Sequence, residues 1–323
     1  MYQDKYSFSF FLEPEFPVNS FILAQETLRI VNQYRLEEVF TYFNVTEKGG
    51  RVRSSNGMWW DNNKNLEDII IPDYLFIFGG NLPTQKISSK KLATLRYLHK
   101  NGTKLIAVDT GAFYLAEAGL ITRETKVCVH WEVKNSFLER YPFINVSDDI
   151  YVLNKNNLYF CAGGVSIVDL MIKIISEIKD ESYAKEVSTA LIHKTRNNSV
   201  SQIDNFSQES TNYLCSKVIK IMEENIENPI KLELIAKELN VSLRTIERYF
   251  KDYHGVSPIK HYSKIRIQKA RNLLFYDEYK ISEIANMTGF SYNTVFINTF
   301  RKFYNKSPSE YRSYFRKKQL EEN

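Results

Sequence analysis

Between Leu232 and Arg312 one pattern is written twice, and no other feature limits the fold of this chain so tightly. In the first copy Leu232, Ile235, Ala236 and Leu239 recur at steps of three and four, the buried face of a short helix. Asn240 suits the left-handed backbone that closes a helix, and Ser242 can cap the next one. The second helix then buries Ile246, Tyr249 and Phe250 and leaves Arg244, Glu247 and Arg248 on its free face. In the second copy Ile235-Ala236 becomes Ile284-Ala285 and Asn240 becomes Gly289, each 49 residues on. Phe250 becomes Phe300 and Ser257-Pro258 becomes Ser307-Pro308, each 50 residues on. The additional residue falls at the turn, where Gly289-Phe290-Ser291 stands against Val241-Ser242. Each copy is a helix, a tight turn and a second helix. One such pattern is weak; two in tandem with matching Ser-Pro exits are specific.

Charge separates the same way. The net charge of +5 is modest, but from Thr211 onward there are 20 Lys or Arg against 13 Asp or Glu, and residues 1–210 hold 23 against 25. The positive charge therefore lies with the repeated helices, where a phosphate backbone would be met. Arg can fork onto guanine, Glu can accept from a cytosine amine, and Asn can pair with adenine.

With these residues in hand, the stretch from about 215 to 316 resembles the AraC/XylS family of bacterial transcription regulators. The resemblance is carried by Ile235-Ala236, Val241-Ser242, Arg244, Arg248-Tyr-Phe250, Gly255-Val-Ser-Pro258, Arg266, Ala270, Leu273-Leu274, Ile281, Ile284-Ala285, Gly289-Phe290, Phe296, Phe300-Arg301, Ser307-Pro308 and Tyr311-Arg312. It implies an all-α C-terminal domain in which one long helix, Ile259 to Leu274, joins two helix-turn-helix units. It further implies that each unit lays its second helix in the major groove of double-stranded DNA. Arg244, Glu247 and Arg248 fall at the groove positions of the first unit, and Asn293, Thr294 and Asn298 at those of the second. Many relatives have Arg where this chain has Asn298, so the second half-site is expected to differ in sequence. Lys251, Arg301, Lys302 and Lys306 read as phosphate contacts, which set affinity without selecting sequence. Asn305 replaces the family's frequent glycine before Lys306-Ser-Pro308, and Asn also tolerates a positive φ.

The front of the chain follows another rule. Tyr6 to Leu12, Val39 to Val45, Tyr74 to Phe78 and Lys104 to Val108 read as strands, the last two as continuous apolar runs. Ser20 to Gln33, Ser88 to Lys100, Val165 to Ile178 and Ser182 to Thr195 read as helices. Strands alternating with helices predict an α/β domain with a parallel sheet in flavodoxin-like layers. Asn, Ser and Gln dominate residues 197–210, which read as a linker between a domain at 1–196 and another at 211–323.

Lys104 to Val108 runs straight into Asp109-Thr110-Gly111-Ala112 and a helix, the strand-turn-helix of a nucleophile elbow. Residues from about 6 to 196 resemble the PfpI-like, class I glutamine-amidotransferase-like fold found in front of some AraC-family regulators. Glu26, Gly79-Gly80, Asp109-Thr-Gly-Ala112, Leu115-Ala116-Glu-Ala-Gly-Leu120, His130-Trp131, Tyr141-Pro142, Ala162-Gly163-Gly164 and Asp169-Leu170 carry this resemblance. Enzymes of that fold have cysteine at the elbow, and this chain has Asp109. A carboxylate cannot replace a thiolate in thioester chemistry, so no catalytic residue is expected. What the elbow can keep is a pocket of Glu26, Asp109 and His130, with Trp131 and Phe113 or Tyr114 adding aromatic surface. Two carboxylates and aromatic faces favour a cationic ligand. The resemblance also implies a small nitrogenous effector, such as an amino acid or a betaine-like compound. The bland alternative is that Asp109 caps its helix and His130 is a satisfied core histidine.

Three widely spaced cysteines, Cys128, Cys161 and Cys215, suit reduced thiols, and neither a signal peptide nor a membrane-spanning run is read, so a cytoplasmic protein is expected. The sequence therefore predicts a DNA-binding regulator that is not an enzyme, needs no cofactor or metal, and works as a homodimer under a small-molecule effector. RNA polymerase is a further expected partner. Two alternatives stay open: a ligand-independent DNA binder whose front domain only dimerises, and an amidohydrolase.

Overall fold

A computed structural model describes residues 5–35, 38–62, 64–80, 87–202, 213–276 and 278–320. The chain divides into two compact units at Ile203/Asp204.

The first unit is an α/β sheet domain. Its elements begin with β1 (Tyr6–Leu12), α1 (Val18–Arg35), β2 (Phe40–Thr46), β3 (Gly50–Arg53), β4 (Trp59–Asn62), β5 (Lys64–Asn65) and β6 (Tyr74–Phe78). There follow α2 (Ser89–Lys100), β7 (Lys104–Val108), α3 (Ala112–Glu117), β8 (Lys126–Val127), α4 (Lys134–Arg140), β9 (Asn145–Val146), β10 (Tyr151–Leu153) and β11 (Leu158–Cys161). Two helices, α5 (Ser166–Ile178) and α6 (Glu181–Ala190), complete it. The main sheet has the order β10-β11-β7-β6-β1-β2-β5. Every pairing in it is parallel except β10 against β11.

The layers follow from side-chain alternation. Phe8, Phe10 and Leu12 point to one face with Phe76, Phe78 and Val108, and pack with apolar residues of α1, α5 and α6. Wholly buried strands such as β6 need cover on the other face too, which α2 and α3 supply beside β7. The parallel sheet and its helix layers match the sequence reading. The short strands β10, at the edge, and β11, beside it, were not read, because three or four residues give no periodicity.

Two ends differ from expectation. Helix α6 stops at Ala190, not Thr195, and Ile192 takes φ 51°, so His193 turns back towards α5. Residues 197–202, read as linker, are held on the sheet edge instead. Ile150 N donates to Asn198 O at 3.1 Å, Gln202 N to Asp148 O at 3.0 Å, and Gln202 Nε2 to Val129 O at 2.8 Å. The rest of the expected linker, 203–210, lies outside the described residues.

The second unit is helical among its described residues: α7 (Tyr213–Glu224), α8 (Leu232–Glu238), α9 (Leu243–His254), α10 (Pro258–Tyr276), α11 (Ile281–Met287), α12 (Asn293–Tyr304) and α13 (Pro308–Leu320). It has two small cores. Ile235, Ile246 and Phe250 pack with Cys215, Val218 and Tyr262; Ile284, Phe296 and Phe300 pack with Ile267, Ala270 and Leu273. Helix α10 thus contributes to both, as a connecting rod must. Asn240 takes φ 53° at the first turn and Asn305 takes φ 55° at the end of α12, the conformations expected of them.

Candidate functional site

The outer faces of α9 and α12 are built by burying the opposite side. Ile246 and Phe250 of α9, and Phe296 and Phe300 of α12, are fully buried. Helical geometry then turns Arg244, Glu247, Arg248 and Lys251 outward from α9, and all four are exposed. On α12 the exposed set is Asn293, Thr294, Asn298, Arg301 and Lys302. Ser242 Oγ accepts from Thr245 N at 3.1 Å and fixes the start of α9. Two exposed residues beside the second set, Val295 on α12 and Tyr292 just before it, went unread because apolar and aromatic side chains at a helix are assigned to its core by default.

The turns that aim these helices are tied to the rod. Arg266 of α10 donates through Nε to Thr288 O at 2.7 Å and through Nη2 to Gly289 O at 2.6 Å, with its guanidinium 3.9 Å from the Phe290 ring centre. Gly289 has φ 73°, and a Cβ there would stand 2.5 Å from Ile226 O, so no other residue fits. Tyr262 donates to Asn225 O at 2.6 Å and secures the segment before α8. Arg266, part of the family resemblance, is a clamp on the second turn.

Each unit closes with a three-ring cluster, offset by 50 residues. Phe250 meets His254 at 5.2 Å and His261 at 5.4 Å, with the imidazoles 4.8 Å apart. Phe300 meets Tyr304 at 4.8 Å and Tyr311 at 5.5 Å, with those rings 5.3 Å apart. Burial and Lys264 hold His254 below the usual imidazole range; burial, His254 and Lys264 push His261 down to about 4. A depressed histidine means that the unfolded chain takes up the proton first, near pH 6.5. Stability from this cluster is therefore whole above about pH 7.5 and is lost as pH falls through 6.5 towards the folded value. Hydrogen exchange at pH 5 against pH 7.5, corrected for intrinsic rates, should show the α9–α10 core loosening at the lower pH and the α12–α13 core unchanged. Equal loosening of both cores would show that the histidines are not responsible.

In the first unit Asp109 directly follows β7 with φ 59°, a strained value for a residue other than glycine, in the strand-turn-helix expected of an elbow. Burial pushes its carboxyl up to about 6, opposed by His130 and reinforced by Glu132. Gly163, at φ 91°, leaves room for that side chain, since a Cβ there would be 3.1 Å from Asp109 Oδ2. His130 and Trp131 have ring centres 5.7 Å apart, and Glu132 N approaches His130 Nδ1 at 3.4 Å. Asp109, His130, Trp131 and Glu132 thus form one partly exposed group. Glu132 went unread for want of a motif.

The other two expected pocket residues lie elsewhere. Glu26 is part-exposed on α1 and pairs with Arg29 at 2.8 Å, one helical turn away, and it is not among the charges acting on Asp109. Phe113 is buried, edge-on to Phe137 at 4.9 Å and to Tyr141 at 6.1 Å. Its apolar ring is taken up by the core, so it offers no face to a ligand.

A buried ionic cluster stands near the elbow that sequence reading did not find. Glu13 follows β1, at the carboxyl ends of β1 and β6 where the strand order reverses. Lys91 Nζ lies 2.6 Å from Glu13 Oε1 and 3.1 Å from Glu47 Oε2, and Ser88 Oγ donates to Glu47 Oε1 at 2.6 Å. Burial raises the Glu13 carboxyl against the pull of Lys91, and burial beside Glu13 raises Tyr114. The cluster pins α2 against the strand ends. Its sequence signal is slight: an acid directly after an apolar strand. Cys161 ends β11, and burial pushes its thiol up to about 11; burial also raises the thiol of Cys128 well above its ordinary value.

Comparison with known proteins places these features. A helix-turn-helix domain family model matches residues 235–314. The HTH-type transcriptional regulator CdhR of Pseudomonas aeruginosa is 30% identical over 312 residues, 95% of this chain and 91% of that protein. The crystal structure of an AraC family transcriptional regulator from Pseudomonas putida, 22% identical, aligns with a TM-score of 0.51 over 58% of this chain and 99% of its own. That of a ThiJ/PfpI family protein from Pseudomonas syringae, 15% identical, aligns with a TM-score of 0.52 over 69% of this chain and 88% of its own. Those two likenesses speak to the fold. The chain belongs to the AraC-type helix-turn-helix transcriptional regulators, as a DNA-binding regulator with a PfpI-like α/β unit in front of its paired helix-turn-helix units.

Proposed function

We propose that α9 and α12 read an operator in two successive major-groove segments, under the control of a small nitrogenous metabolite bound at the Asp109 elbow. The observation that carries the DNA reading is that nine of the ten residues expected to touch DNA are exposed on two helices whose other faces are buried, and the tenth, Lys306, is exposed just after α12. Arg244, Glu247, Arg248, Asn293, Thr294 and Asn298 supply base-edge donors and acceptors; Lys251, Arg301 and Lys302 supply phosphate contacts. Arg248→Ala is expected to cost about 1–3 kcal/mol in operator affinity and to relax preference at one base pair. Titrating a selected operator and random duplex at one salt concentration checks this. Equal losses on both would move Arg248 to the phosphate backbone.

For the effector, the support is the group of Asp109, His130, Trp131 and Glu132: two acidic side chains and an exposed indole, a combination that favours a cation. The ligand must favour one of two states of the protein to change DNA binding. Calorimetry with arginine, betaine and carnitine is expected to give a saturable heat with at least one, lost in Asp109→Asn. Binding of only neutral or anionic metabolites would sink the cationic reading. We further infer that the front unit is not an enzyme, since the elbow carries a carboxylate and the thiols of Cys128 and Cys161 are buried and held protonated. Among the described residues no helix is long and apolar enough to cross a membrane. A cytoplasmic homodimer, acting with RNA polymerase at a two-fold operator, completes the proposal.

A further inference from the structure

A cavity lies away from the elbow residues, and part of its wall is the segment that leads out of the first unit. After α6, residues 193–202 run along the β10 edge. They are anchored at one end by Asp169 of α5, which is fully buried. Asp169 Oδ1 accepts from His193 Nε2 at 2.8 Å and from Arg196 N at 2.7 Å; Oδ2 accepts from Arg196 Nε at 3.0 Å and Nη2 at 2.7 Å. Towards the other end Ser201 forms an antiparallel bridge with Asp149. Between these anchors the segment borders a cavity of about 550 Å³, whose lining includes Lys126, Asp149, Lys173, Arg196, Asn197 and Asn198. That volume falls in the range of small-molecule sites.

The lining selects charge. It carries three cations, Lys126, Lys173 and Arg196, against one carboxylate, Asp149. Each cation has one acidic partner: Lys126 pairs with Asp149, Lys173 with Glu177 at 3.2 Å, and Arg196 with Asp169. Donors remain beyond those pairs. Arg196 Nη1 and the side-chain amides of Asn197 and Asn198 have no hydrogen-bond partner among the described residues. Both lysine side chains are about half exposed at 46%, and an ammonium group has three donors, so each can meet an anion while keeping its acidic partner. A group with several oxygen acceptors would be met by two half-exposed ammonium groups, one edge of a fixed guanidinium and two amides.

We propose that this cavity is a binding site for a small oxyanion metabolite, a multiply charged carboxylate or a phosphate ester, and that its occupancy further steadies residues 193–202 against the sheet edge. The site is separate from the elbow and does not depend on what the elbow binds. Its consequence follows from connectivity: an anion held between Lys126, Lys173 and Arg196 stiffens the stretch through which the first unit is joined to the second.

The test is hydrogen exchange by mass spectrometry on the full chain, titrated separately with inorganic phosphate and with citrate at constant ionic strength. Peptides spanning 193–202 are expected to exchange more slowly in a saturable way. The half-saturating concentration should rise at least tenfold in the double variant Lys126→Gln/Lys173→Gln. Because the C-terminal unit is basic and attracts anions generally, the local readout matters more than total binding. Protection by citrate alone assigns a multicarboxylate, and protection by phosphate alone a phosphate ester. Unchanged half-saturation in the double variant, protection confined to C-terminal peptides, or no saturable protection at millimolar anion would each overturn the proposal. Asn198→Ala provides a second, smaller perturbation should the double variant fold poorly.

Discussion

Arg196→Ala is expected to destabilise the first unit by about 3 kcal/mol, near the lower end of the cost of breaking a buried ion pair. Asp169 has no exposure to water, and three of its four hydrogen bonds come from Arg196, one of them through the main chain. The substitution removes the two guanidinium bonds and leaves a buried carboxylate held by His193 and one amide. Replacing the arginine thus strands a charge, whereas Asp169→Ala strands an arginine that is already 39% exposed and can rehydrate. The aspartate substitution should therefore cost less, an asymmetry that separates ion-pair energetics from mere loss of packing. The three tryptophans, Trp59, Trp60 and Trp131, all lie in the first unit, so fluorescence-monitored urea unfolding reports on it selectively. Residues 197–202 should also become accessible to protease. An Arg196→Ala midpoint indistinguishable from wild type would show that Asp169 does not depend on the guanidinium for its solvation.

Phe300→Ala is expected to cost about 3–5 kcal/mol in the second unit and to abolish operator binding. The ring is fully buried and sits 5.9 Å from Phe296, 4.8 Å from Tyr304 and 5.5 Å from Tyr311, on the inner face of the helix that carries Asn293 and Asn298. Its removal empties the centre of a small core, and small cores have little stability to spare. Phe250→Ala should act alike on the first reading head, since Phe250 holds the equivalent place beside His254 and His261. Thermal unfolding followed by far-ultraviolet circular dichroism, with tryptophan fluorescence as the internal reference for the first unit, measures the loss. Phe300→Leu keeps most of the volume and should recover much of the stability and DNA affinity. A Phe300→Ala protein that still binds operator at wild-type affinity would show that α12 is positioned by something other than this core.

The pattern of what could be read in advance has a physical basis. Helices α8, α9, α11 and α12 were legible because each buries one stripe, and because the stripe is written twice at nearly constant offset. Strands β6 and β7 were legible because burial on both faces demands an unbroken apolar run. The elbow was legible as a turn, since few sequences pass straight from such a strand into a helix. Its membership was less so. Glu26 has the right charge for a cation pocket, but helical geometry gives it Arg29 as partner, and Phe113 is drawn into the core by Phe137 and Tyr141. Glu13 and Lys91 are 78 residues apart, and nothing local marks them as partners.

By itself the sequence determined a tandem reader with outward-facing polar residues behind a layered parallel sheet, because period and composition are local properties that burial converts directly into helices and strands. Only the tertiary structure decided which charges meet. It set Asp109 beside His130 and Glu132, closed Asp169 on His193 and Arg196, and turned an apparent linker into a docked edge. Those outcomes depend on distances between residues far apart in the chain, and an ion pair is worth something only at a separation that the whole fold must supply.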